Sequence, residues 1–153
     1  MKTFIKAIAS FFYIGHLPIA PGTFGSVAGL LLAWTSNETL TYVFLPLCVA
    51  GFLVAAPAEN VYGAKDPKQF VLDEVCGMML GLLWLPKEIV IFIIAFLLFR
   101  LLDVWKPWPV SLLQKNKNPL SIMWDDLACG IAVNVALQAG MKLWGAAHGA
   151  AAA

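Results

Sequence analysis

Between Leu40 and Ala58 the chain carries no charged residue. A bilayer core is crossed by a helix of about 20 predominantly apolar residues, so this run is long enough to span. A second long run, Leu127–Ala147, is mostly apolar but includes Asn134, Gln138 and Lys142. Three shorter runs, Phe24–Trp34, Val75–Pro86 and Ile89–Phe99, complete the set, the last two interrupted by Lys87-Glu88. At 1.5 Å per residue each short run reaches only about 16–18 Å of a core about 30 Å thick. Such segments must extend into their neighbours, tilt, or turn back as re-entrant helices. None alternates with period two, so all read as helices. The expected fold is all-α: a small polytopic membrane bundle with short or re-entrant helices.

Composition agrees. Hydrophobic residues make up 61% and charged residues 12% of 153, against about 45–50% and about 25% in soluble domains. A soluble helical bundle with a large apolar face is the alternative. The net charge of +1 and the lack of a long basic run argue against nucleic acid as a partner. Cys48, Cys76 and Cys129 form no CxxC pair and lie in apolar runs, as buried thiols do. Met1–Tyr13 carries Lys2 and Lys6 but no small-residue cleavage site, unlike a signal peptide. Residues 1–147 read as one domain, and 148–153 as a low-complexity tail expected to be disordered.

The polar residues gather in three segments, 15–26, 59–74 and 100–126. Lys2, Lys6, Lys65, Lys68, Arg100, Lys106, Lys115 and Lys117 lie in these or in the N-terminus; only Lys87 and Lys142 lie elsewhere. The positive-inside rule turns such segments to the cytoplasm. Helical hairpins over 24–58 and 75–99 put all three on that side. A single crossing over Val75–Phe99 would instead hold Lys87 and Glu88 in mid-membrane, at a cost of several kcal/mol.

The first segment contains Pro21-Gly22, a turn signal, followed by Thr23, Gly25 and Ser26. A glycine-containing helix start suits a phosphate; an ordinary helix cap explains it as well. No Lys-Ser/Thr follows, so it is not a Walker A loop. The second segment ends in Asp73-Glu74 at the mouth of an apolar run. Acids there are favoured by the helix dipole, and are also suited to magnesium. In the third, Arg100, Asp103 and Lys106 recur every three residues and share a helix face, and Pro107 ends that helix. A snorkelling interfacial stripe, with Trp105 and Trp108 as anchors, is the plain reading of that face. Asp125-Asp126 then opens the last apolar run. Asp73, Glu74, Asp103, Asp125 and Asp126 thus all stand at run ends, where convergence would call for a divalent cation. With basic groups nearby, the residues suggest metal-dependent phosphoryl chemistry at a membrane surface.

Four strings resemble the phosphatidylglycerophosphatase A family. They are Pro18-Ile19-Ala20-Pro21-Gly22-Thr23-Phe24-Gly25-Ser26; Lys65-Asp66 with Val71-Leu72-Asp73-Glu74 and Gly77; Arg100-Leu101-Leu102-Asp103-Val104-Trp105-Lys106-Pro107-Trp108-Pro109; and Met123-Trp124-Asp125-Asp126-Leu127-Ala128-Cys129-Gly130. They keep the family's order across residues 15–130. Lys117–Ile122 departs from the family's glycine-rich approach, and Cys129 stands where Ala is usual; neither change removes an acid or a base. The resemblance implies Mg²⁺-dependent hydrolysis of phosphatidylglycerophosphate to phosphatidylglycerol and phosphate, in a bacterial inner membrane, with the site on its cytoplasmic side.

On this reading a subset of Asp73, Glu74, Asp103, Asp125 and Asp126 holds Mg²⁺, and a remaining acid orients or deprotonates water. Arg100 and Lys106 neutralise phosphate oxygens, with Thr23, Gly25, Ser26 and Asp66 also at the phosphate. An aspartyl-phosphate intermediate is the alternative. His16 reads as a loop residue. Rival readings are a phosphatase on another membrane phosphate, a phosphotransferase, and a small transport or channel subunit with its acids in a pore. Gly25, Gly29, Gly77 and Gly81 suit close helix packing within one chain or in a homo-oligomer.

Overall fold

A computed structural model describes residues 1–105 and 118–149. It contains α1 (Lys2–Ala9), a 3₁₀ turn at Ile14–His16, α2 (Pro21–Ala33), α3 (Asn37–Tyr62), α4 (Leu72–Leu82), α5 (Ile89–Trp105) and α6 (Ser121–Gly149). No strand occurs among the described residues. The fold is all-α, as the lack of period-two patterning requires. α3 and α6 are long and apolar enough to cross a membrane. α3 continues through Pro46 and Pro57. α6 is helical to Gly149, and residues 150–153 of the tail lie outside the described residues.

α4 packs chiefly against α6 and α2, α5 against α6, and α3 against α1 and α4. The turns after α2 and after α4 meet at one end. There the Trp84 N–H donates to Asn37 Oδ1 at 3.2 Å, and Lys87 Nζ donates to the Ala33 carbonyl, the last of α2, at 2.7 Å. Lys87 therefore caps a neighbouring helix, which removes the difficulty of a lysine inside an apolar segment.

α4 is the centre of the bundle. Only Glu74 and Leu80 of its eleven residues escape full burial. At about 16 Å it is too short to span, and its end needs partners for its last carbonyls. Asn134 of α6 supplies them: its Nδ2 lies 3.2, 3.3 and 2.8 Å from the carbonyl oxygens of Leu80, Gly81 and Leu83. Gln138 Nε2 donates in turn to Asn134 Oδ1 at 2.7 Å.

At the opposite end lie the starts of α2, α4 and α6 and the last turns of α5. The polar segments that the structure describes thus share one end, as hairpins require. Against α3 that end is not a terminus. A Cβ on Gly51, midway along α3, would come within 2.6 Å of Met123 and 3.5 Å of Leu72. The rest of α3 projects past this level, and α1 packs against it.

Candidate active site

Two stripes of side chains build the site. On α4, Asp73, Gly77 and Gly81 repeat every four residues; on α6, Asp126, Gly130 and Asn134 do the same. Residues four apart share a helix face. A Cβ on Gly77 would come within 2.6 Å of the Asp126 carbonyl oxygen and 2.8 Å of the Phe99 ring. The helices approach this closely because the glycines have no side chains, and the acids heading each stripe are brought together.

Ligand oxygens of Asp73, Glu74 and Asp126 all lie within 4.8 Å of one another. Asp73 and Asp126 are buried. The Glu74 N–H donates to Asp73 Oδ1 at 2.9 Å, while Glu74 Oε2 is buried with no hydrogen-bond partner among the described residues. Burial, and then the adjoining Glu74 carboxylate, pushes the Asp73 carboxyl well above the usual range. Burial raises Glu74 too, with nearby Asp103 adding to the rise.

Arg100 closes one side. Its Nη1 donates to Asp103 Oδ2 at 2.6 Å and to Ser26 Oγ at 3.3 Å. Ser26 Oγ itself donates to the Gly22 carbonyl at 3.0 Å. Gly22 packs directly against the Glu74 carboxylate, and a Cβ there would stand 3.6 Å from Arg100 Nη1. α2 therefore contributes a bare backbone surface against which the acid and the guanidinium both lie.

The five acids divide. Asp73, Glu74 and Asp126 form one group, and Asp103 is paired with Arg100. Asp125 is buried next to Asp126 but outside that group. Gly25 is buried between helices: its Cβ position lies 3.0 Å from the Val71 carbonyl oxygen and 3.5 Å from Glu74 Cβ. The Thr23 and Phe24 N–H groups donate to the Ala20 carbonyl, at 3.0 and 3.3 Å. Asp66 is exposed after α3, and its N–H donates to Glu59 Oε1 at 3.3 Å. Lys106 lies outside the described residues. His16 is exposed and meets Tyr62, its Nε2 3.5 Å from the phenol oxygen. Asn134 and Gly22 were not among the sequence candidates. The four-residue spacing after Asp126 was the signal for Asn134; the Gly22–Glu74 contact had none.

The sequence profile of the phosphatidylglycerophosphatase A family matches residues 7–141. The chain belongs to that family. Phosphatidylglycerophosphatase A of Escherichia coli K12 is 34% identical over 126 residues, covering 76% of this chain and 72% of the relative. The Haemophilus influenzae phosphatidylglycerophosphatase A is 32% identical over 134 residues, covering 83% and 82%. A Bacteroides thetaiotaomicron protein described as a candidate phosphatidylinositol-3-phosphatase is 32% identical over 136 residues, covering 81% and 85%. No solved structure matches. Membership in the phosphatidylglycerophosphatase A family makes the chain a phosphatase, a phosphoric monoester hydrolase. The shared match runs through all the acids of the site.

Proposed function

We propose that the chain hydrolyses phosphatidylglycerophosphate, releasing phosphatidylglycerol and inorganic phosphate. The observation that carries the reading is the convergence of Asp73, Glu74 and Asp126 beside Arg100. Three carboxylates this close repel one another unless protonated or bridged by a cation. Three carboxylates with ligand oxygens within 4.8 Å of one another offer the hard oxygen donors that Mg²⁺ prefers. That buried Glu74 Oε2 has no hydrogen-bond partner among the described residues is a further ground for a cation there. Asp73, Glu74 and Asp126 would hold the ion. When bound it neutralises phosphate charge and lowers the pKa of water.

The chain's own groups supply the rest. Arg100 takes the phosphate oxygens by charge-assisted hydrogen bonds. One of the acids orients the attacking water and accepts its proton. The Arg and Lys bias turns this end to the cytoplasm, with the acyl chains of the substrate remaining in the inner membrane. Because the acids are level with the middle of α3, the headgroup is drawn in beside that helix.

Phosphate release from phosphatidylglycerophosphate in detergent, with Mg²⁺ and then with excess chelator, tests the reading. Release with Mg²⁺ and none with chelator is expected. Equal release under both conditions removes the metal. No release from folded protein with Mg²⁺ removes the substrate. The Bacteroides relative gives a second reading, a phosphoinositide monoester. The same assay on phosphatidylinositol 3-phosphate decides between them.

A further inference from the structure

Ser26 is fully buried. A hydroxyl so enclosed does not meet a substrate phosphate directly, although it belongs to a segment that reads as a phosphate loop. Its contacts run elsewhere. Oγ donates to the Gly22 carbonyl, one turn back on α2, at 3.0 Å. It also accepts from Arg100 Nη1 of α5 at 3.3 Å. That nitrogen carries two N–H groups, and its other partner is Asp103 Oδ2 at 2.6 Å. Both of its donors are therefore committed, one to α2 and one to α5. Two acceptors on different helices fix both the position and the plane of a guanidinium. A single i,i+3 pair on one helix would leave the side chain free to swing.

We infer that Ser26 and Asp103 are positioning residues that hold Arg100 for the substrate phosphate, and that Asp103 serves this anion clamp rather than the metal. The inference rests on the proposed role of Arg100 at the phosphate. The acids then have separate roles. Asp73, Glu74 and Asp126 take the cation, while Asp103 orients the cationic side chain that takes the anion. Gly22 lets the two halves meet, since Glu74 and Arg100 both approach the place of its missing side chain.

The test uses purified full-length protein in detergent with two probes, Mg²⁺ alone and inorganic phosphate in the presence of Mg²⁺, both followed by calorimetry. Inorganic phosphate is the product of any phosphomonoesterase, so a mistaken lipid does not affect the test. Ser26→Ala is expected to weaken phosphate binding about tenfold, the worth of one hydrogen bond to a charged group. Its Mg²⁺ affinity is expected to stay within about twofold, since no metal ligand changes. In an Arg100→Lys background, Ser26→Ala is expected to add nothing, because it acts through the guanidinium. Asp103→Asn repeats the test from the other helix, and stands in if Ser26→Ala does not fold. Wild-type phosphate affinity in Ser26→Ala, losses that multiply in the double variant, or a loss of Mg²⁺ affinity in Asp103→Asn as large as that in Asp126→Asn would each overturn the inference. Phosphate binding that follows the expected pattern, in protein inactive on phosphatidylglycerophosphate, sinks the substrate and supports the clamp. Multiplying losses in protein active on that lipid sink the clamp alone. Wild-type protein that binds neither probe overturns both.

Discussion

Gly130 of α6 packs so closely on Gly77 of α4 that a Cβ at 130 would meet the Gly77 carbonyl oxygen. A backbone carbonyl cannot move aside as a flexible side chain can. This contact sets the distance between the helices that carry Asp73 and Asp126. Gly130→Ala should therefore destabilise the fold by about 1–3 kcal/mol through overpacking. That corresponds to about 2–12 °C of Tm for a chain of this size. Mg²⁺ affinity should fall with it, as the acids are prised apart. Thermal unfolding in detergent with and without Mg²⁺ checks both; an unchanged Tm would show that the helices do not meet as described.

Glu74→Gln and Asp126→Asn keep side-chain volume while removing charge. Altering groups that only support metal ligands commonly costs about 10–100-fold, and a ligand itself should cost no less. Phosphate release should fall at least about a hundredfold in each variant, with helix content by circular dichroism unchanged. Retained release in Asp126→Asn would count against the trio as the metal site.

The raised Asp73 pKa gives a pH dependence with a definite sign. Burial and then Glu74 hold the folded value above the unfolded one. The folded protein therefore binds this proton more tightly than the unfolded chain does. In chelator, the resulting stability is fully present below the unfolded value of about 3.9. It is lost as pH rises through the raised folded value. Metal needs the ionised acids, so the Tm increment on adding Mg²⁺ should grow with pH over the same window. A series of melts with chelator and with Mg²⁺ reads this directly. An increment that does not change with pH would mean that Mg²⁺ binds elsewhere.

Much of this was legible in the sequence because charge is scarce in so apolar a chain. Asp73, Glu74, Asp103, Asp125 and Asp126 stood out at run ends, and the burden of Lys87 and Glu88 favoured hairpins over a single crossing. How the acids divide was not legible. Arg100 and Asp103 are three residues apart, which predicts their pairing. That Ser26 shares Arg100 depends on how α2 is rotated against α5, and no spacing within one helix reports that. The same holds for Gly25: a motif glycine looks like room for a phosphate, but here it is room for Val71 and Glu74.

Asn134 offers a test of the fold that leaves the chemistry alone. Its amide stands against three carbonyls at the end of α4, far from the acids, and replaces the water that a short helix ending inside an apolar bundle lacks. Asn134→Leu should leave those carbonyls, and Gln138, without that partner. The cost of such buried groups is about 1–3 kcal/mol, or about 2–12 °C in Tm. Because α4 is anchored at its other end by the glycine contacts and by the Val71 N–H donating to Ala9, the acids should keep their places. Phosphate release per folded molecule, measured well below the lowered Tm, should stay within about threefold of wild type, as expected for a site lacking shared partners with the mutated one. A collapse of activity at full helix content would mean that the position of α4 along its axis is set from the Asn134 end.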